Sequence, residues 1–158
     1  MPDARSLVIV GESNPYGGDP SFALYHLPRE ASGNRLREHV GLSDEEYERL
    51  EKVNLCPGEW SMPIARARAK ELLGLHDVIV TLGAKVRTAF SFHWPNLREV
   101  SPFWRLIDIE TGQQIVTLPH PSGLSRPWYA PDARDKARTV LREAAPWVPW
   151  GSDGGGAA

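Results

Sequence analysis

Two short apolar runs, Leu7-Val8-Ile9-Val10 and Val78-Ile79-Val80-Thr81-Leu82, are continuous rather than alternating. A strand with one face in water alternates; a continuous one is buried on both faces, as inner strands are in a mainly parallel sheet flanked by helices. The segments between and after these runs fit that frame. Asn34 to His39 reads as helical, and Ser43-Asp44-Glu45-Glu46 carries the spacing of a capping box opening a helix through Tyr47 and Leu50. Lys52 to Cys56 reads as a short strand ended by Pro57-Gly58. Ser61 then caps a helix carrying Ile64, Leu72 and Leu73 that stops near Gly74. The strand from Asp77 to Leu82 turns at Gly83-Ala84-Lys85 into a helix through Val86 and Phe90. Trp104 to Ile109 and Gln114 to Leu118 read as two strands joined at Thr111-Gly112, and Pro131 opens a last helix through Leu141. Strands alternating with helices predict a three-layer α/β/α sandwich around a mainly parallel sheet of four to five strands. One domain over 1–150 is expected, with a disordered glycine-rich tail over 151–158.

Composition narrows the partners. At 158 residues the chain fits a single core, and 41% hydrophobic with 24% charged residues is a globular balance. The formal net charge of -2 supplies no overall attraction to phosphate, so any nucleic-acid binding has to be local. Cys56 is the single cysteine, which excludes an internal disulfide and a cysteine-ligated zinc or iron–sulfur site. With no apolar run of about 20 residues and no apolar stretch with basic flanks at the start, a soluble, cytoplasmic monomer without metal or cofactor is expected.

Two stretches rich in glycine, proline and small polar residues, Gly11 to Gly33 and Pro119 to Ala130, leave the carboxyl ends of predicted strands, where open α/β sheets bind ligands. The first run is read as stopping at Gly11. The first stretch begins Gly11-Glu12-Ser13-Asn14-Pro15-Tyr16 and the second contains His120-Pro121-Ser122-Gly123-Leu124-Ser125-Arg126. These segments resemble the two signature motifs of the uracil-DNA glycosylase superfamily, whose first loop has forms such as G-Q-D-P-Y or G-x-N-P and whose second has forms such as H-P-S-P-L-S or N-P-S-G-L-S-R. Six of the seven residues of the mismatch-specific form occur here in order, with the histidine of the classical uracil enzymes in first place. The resemblance extends along nearly the whole chain, since Val53-Asn54-Leu55 and Val78 to Ala84 fall where the family has its middle strands. The first motif departs by one extra residue between Gly11 and Asn14-Pro15-Tyr16. The iron–sulfur branch is excluded, because its cluster needs four cysteines.

The resemblance implies a monofunctional hydrolase that flips uracil or a related modified pyrimidine out of DNA and cleaves its N-glycosidic bond, as in base-excision repair. Such chemistry needs a donor for the charge growing on the leaving base, which suits His120. By resemblance Asn14 holds the attacking water; an amide orients water but is no base near neutral pH, so Glu12, or failing it Asp19, is the carboxylate to accept a proton or balance the sugar cation. Asn54 is placed to read the O4 and N3–H edge of the base. Tyr16 would press against C5, and Tyr25 or Phe22 would stack on the ring. Leu124 takes the place of the wedge that fills the gap left by the base, while Ser122, Gly123, Ser125 and Arg126, with Gly83-Ala84-Lys85 as a further candidate, would hold phosphates. Arg66, Arg68, Arg134, Lys136 and Arg138 read as solvated helix faces. Two other readings stand beside this one: a silent nucleic-acid-binding module of the same fold, and a glycosylase for a bulkier base.

Overall fold

The computed structural model describes residues 6–13 and 23–151, apart from the side chain of Arg98. Five strands form one sheet: β1 (Leu7–Ser13), β2 (Glu51–Cys56), β3 (Val78–Leu82), β4 (Trp104–Ile107) and β5 (Gln114–Leu118). Their order is β2-β1-β3-β5-β4, and all neighbours run parallel except β4, which closes one edge antiparallel to β5. The helices are α1 (Ser32–Val40), α2 (Asp44–Glu48), α3 (Met62–Leu73), α4 (Ala84–Ala89) and α5 (Ala133–Ala144).

The continuous runs are buried on both sides, as their composition requires. Leu7 and Ile9 of β1 join Leu36 and Val40 of α1, Tyr47, and Ala137 and Leu141 of α5 in one core. Val8 and Val10 point the other way, into a second core with Ala65 and Ala69 of α3 and Val86 and Phe90. Helices thus cover both faces of the sheet, an arrangement consistent with a three-layer sandwich.

Local signals hold where they rest on hydrogen bonding. Ser43 Oγ accepts from Glu46 N–H at 3.1 Å while the Glu46 carboxylate accepts from Ser43 N–H at 2.9 Å, closing the capping box. Ser61 caps α3 with Pro63 in its first turn, and Gly74 ends it. Several boundaries move. The first strand does not stop at Gly11; it runs to Ser13, because Gly11 and Ser13 still pair with Asn54 and Cys56 of β2. Glu12 and Ser13 are therefore strand, not loop, and Ser32 and Gly33 already belong to α1. The helix after Ser43 ends at Glu48 rather than reaching Leu50, since Glu51 starts the next strand. Of the apolar residues that α3 carries, Leu72 is buried and Ile64 is half exposed. The last helix begins at Ala133 instead of Pro131, and the second motif loop contains a 3-10 turn, Arg126–Tyr129, that the sequence did not announce. A further 3-10 turn covers Pro95–Glu99. Gly151, placed by sequence in a disordered tail, donates to Val40 O at 3.0 Å and accepts from Arg142 at 2.7 Å. The rest of that tail, 152–158, lies outside the described residues. Among the described residues no helix is long and apolar enough to cross a membrane.

Candidate functional site

The chain leaves β1 to one side for β2 and returns to the other side for β3, so the strand order reverses between β1 and β3. At such a reversal the loops after the two strands diverge and leave a crevice at the carboxyl edge. Glu12 lies at the end of β1, Asn54 near the end of β2, Gly83 just after β3, and His120 just after β5. All four thus sit at one edge of the sheet. Asn14, Tyr16, Asp19 and Phe22 lie outside the described residues.

His120 is half-buried against Gly83. Gly83 has φ 93°, a conformation L side chains rarely adopt, and a Cβ there would stand 3.2 Å from His120 Cβ. The imidazole Nδ1 accepts the backbone N–H of Ser122 at 3.1 Å. A ring nitrogen that accepts carries no proton, so this bond assigns a neutral ring with its hydrogen on Nε2. The ring borders a cleft of about 200 Å³ with Gly83, Pro119, Ser125 and Pro127 in its wall. Buried Trp128 fixes the backbone behind it, its indole N–H donating to the carbonyls of Pro119 and His120 at 3.1 Å each.

The loop that follows is braced from within. Leu124 N–H donates to Ser122 Oγ at 3.3 Å, Ser125 N–H to Ser122 O at 3.0 Å, and the Tyr129 hydroxyl donates to Gly123 O. This turn holds Leu124 out in water, 91% exposed. A leucine so placed costs solvation free energy unless it has something to enter. Ser122, Gly123 and Ser125 are half-buried on the same turn, and Arg126 is exposed at the start of the 3-10 turn.

Asn54 faces Gly11 across the β1–β2 ladder, and its Oδ1 lies 2.5 Å from where a Gly11 Cβ would be. Only glycine leaves the amide this position. Asn54 borders a separate groove of about 410 Å³ between β2 and α3, with Leu55, Cys56 and Ile64 in its wall. His120 and Asn54 therefore share the carboxyl edge but not a cavity among the described residues. From β2 to Gly83 is two strand spacings, roughly 10 Å, about what a pyrimidine with a hydrogen bond at each end spans.

Tyr25 is half-buried beside His26, ring centroids 4.6 Å apart. Its backbone is fixed by the Tyr47 hydroxyl, which donates to Leu24 O at 2.7 Å, and by the close approach of Gly33 to Leu24 O and Tyr25 O. His26 in turn stands 3.4 Å from the Glu48 carboxylate and 3.7 Å from that of Asp44. Hydrogen bonding from Arg29 holds the Asp44 carboxyl down to about 2. Lys85, which with Gly83 and Ala84 forms the helix start offered by sequence as a further phosphate candidate, lies over the Trp60 ring at 5.9 Å, on the α3 side of the sheet.

No family model, curated protein or solved structure matches the chain.

Four contributors escaped the sequence reading. Trp128 and Tyr129 brace the loop, His39 stacks on Trp128 with centroids 4.0 Å apart, and the Arg35 guanidinium packs on Gly123. The Pro127-Trp128-Tyr129 cluster beside the motif was the one available signal for the first two. Arg134 and Arg138 do not form a plain solvated face: Arg134 donates to His39 Nδ1 at 3.2 Å, and Arg138 donates to His39 O and Glu38 O at the end of α1. Among the described residues no group of three or more His, Cys, Asp or Glu side chains is placed to hold a metal ion.

Proposed function

We propose that the chain is a monofunctional DNA glycosylase of the uracil-DNA glycosylase type, acting on uracil or a related modified pyrimidine. The observation that carries this reading is His120: a neutral imidazole, its Nδ1 occupied by Ser122 N–H, presenting Nε2–H beside a turn that holds a leucine out in solvent.

In this reading Leu124 enters the duplex where the base has left it, repaying part of the unstacking cost with its own burial. The base lies between His120 and the Asn54 amide. As the bond from C1′ to the base nitrogen breaks, its electron pair moves into the ring, and His120 Nε2–H hydrogen-bonds the carbonyl oxygen that takes up the charge. A neutral donor is matched to this task, because the contact strengthens only as charge develops. Water then adds its oxygen to C1′ and gives up a proton. Glu12, at the end of β1 and without an ion pair among the described residues, is the carboxylate offered for it, with Asn14 orienting the water by resemblance. A fixed amide at Asn54 favours uracil over cytosine, whose donor and acceptor pattern is reversed.

The test is a panel of labelled oligonucleotides carrying one uracil, single-stranded or opposite G or A, with hydroxymethyl- and formyl-uracil alongside. Alkali-labile abasic sites are expected. Binding without cleavage of any substrate would leave a nucleic-acid-binding module, and cleavage of only the larger bases would move the specificity to a bulkier lesion.

A further inference from the structure

Two arginines that the reaction does not use converge on the wedge turn. Arg35, exposed on α1, lies so close to Gly123 that a Cβ there would stand 3.1 Å from its Cζ. Arg134, exposed in the first turn of α5, donates from Nε to His39 Nδ1 at 3.2 Å. His39 is stacked parallel on Trp128, within 3°, and Trp128 belongs to the 3-10 turn that Arg126 opens. Arg134 thus bonds one ring of the stacked pair, Arg126 opens the turn that carries the other, and Arg35 lies on the loop just before it.

The field of Arg35 and Arg134 is legible on His39, whose pKa is pushed down to about 4 first by burial and then by Arg134, Arg35 and Arg138. Arg138 is already committed to carbonyls at the end of α1. Arg35, Arg126 and Arg134 form no ion pair among the described residues, whereas Arg29, Arg37, Arg68, Arg105 and Lys136 each have a carboxylate. Guanidinium groups gathered without counter-charge repel one another, and an anion with planar, bidentate acceptors relieves that repulsion.

We propose that Arg35 and Arg134 extend the motif's Arg126 into a phosphate track, which takes the DNA backbone alongside the gap that Leu124 fills. The choice of DNA as the polyanion rests on the glycosylase reading. The track gives a chain of net charge -2 a local source of attraction, and Gly123 is the residue that lets Arg35 lie within it.

The experiment is equilibrium binding of the full chain to a uracil-free duplex over a series of salt concentrations. Loss of one phosphate contact lowers the steepness of log K against log salt by about one. Arg35→Ala and Arg134→Ala are each expected to do this and to weaken binding by about three- to tenfold at low salt. Arg35→Glu, at an exposed side chain with no hydrogen bond to lose among the described residues, should weaken it further. Arg66→Ala, on α3 across the sheet, should change neither quantity. Salt dependences for Arg35→Ala and Arg134→Ala equal to that of the wild type overturn the track. Excision is measured in parallel. Excision with unchanged slopes defeats the track alone; altered slopes without excision defeat the glycosylase reading and leave the track standing.

Discussion

A single backbone hydrogen bond decides what His120 offers a substrate. Because Ser122 N–H occupies Nδ1, the free hydrogen is on Nε2, and His120→Ala is expected to slow single-turnover excision by about a hundred- to a thousandfold, the scale for one oriented donor to developing charge. A smaller loss than tenfold would assign that charge to another group. Gly11→Ala is the companion test at the base edge. Its Cβ would collide with Asn54 Oδ1, so excision should fall while binding to uracil-free DNA persists; an unchanged rate would remove Asn54 from the site. His39 gives a pH signature. Its pKa falls from 6.5 when unfolded to about 4 when folded, so between these values the unfolded state binds more protons. Stability therefore declines as pH drops from about 6.5 towards 4, and denaturant titrations across that window should show it. In His39→Gln that decline should flatten; the same slope in the variant would place its origin elsewhere. His120, Asn54 and Leu124 could be singled out as candidates because they stand in recognisable strings. The placement of Arg35 and His39 could not be read, because it depends on how α1 meets a loop some ninety residues away in sequence, and exposed basic residues on a helix look alike until it packs.

Among the elements, the 3-10 turn after the motif matters most. Trp128 spends its one donor on the carbonyls of Pro119 and His120. Trp128→Phe keeps most of the apolar packing but leaves those carbonyls short of a partner. A loss of about 1–2 kcal/mol in stability is expected, the cost of an unmet buried hydrogen bond, together with reduced excision. Equal stability by chemical denaturation would mean that water replaces the indole. The wedge can be judged separately: Leu124→Ala should impair duplex substrates more than single strands, and equal effects on both would remove its role in the stack. Strand cores, the capping box at Ser43 and the Ser61 cap were legible because they depend on neighbours in sequence. The end of β1 was not. Gly11 reads as a breaker, yet the ladder to β2 carries extended backbone two residues beyond it, and that pairing is a long-range event. The 3-10 turn was missed for a similar reason, since Arg-Pro-Trp-Tyr has no periodicity to reveal it.

At the scale of the molecule, the alternation of continuous apolar runs with helical patterns was enough for an α/β sheet, because burial on both faces leaves few other solutions. The order β2-β1-β3-β5-β4, with its reversal between β1 and β3, was beyond it; strand order is written in the packing of crossovers, not in any one segment. That reversal is what gathers Glu12, Gly83 and His120 at one edge, so candidate residues could be named from sequence while their arrangement could not. Net charge was a poor guide at this scale. A total of -2 hides an uneven distribution: among the described residues Arg35, Arg126 and Arg134 have no carboxylate partner while others pair off.

The bracing of the Leu124 turn has a thermodynamic consequence for the proposed encounter with DNA. The backbone of this turn is already tied by Ser122, Ser125 and Tyr129 and has little freedom left to lose on binding, so the ordering cost that remains is that of the exposed Leu124 side chain, about 0.5–1.5 kcal/mol. The amides of Leu124 and Ser125 should accordingly exchange hydrogen slowly in the free protein, and DNA should slow them little further. If the chain acts on DNA as proposed, each contact with a duplex tests a backbone shape that is already made, and the time spent on undamaged sequence is set by the stiffness of the helix being probed rather than by folding of the turn.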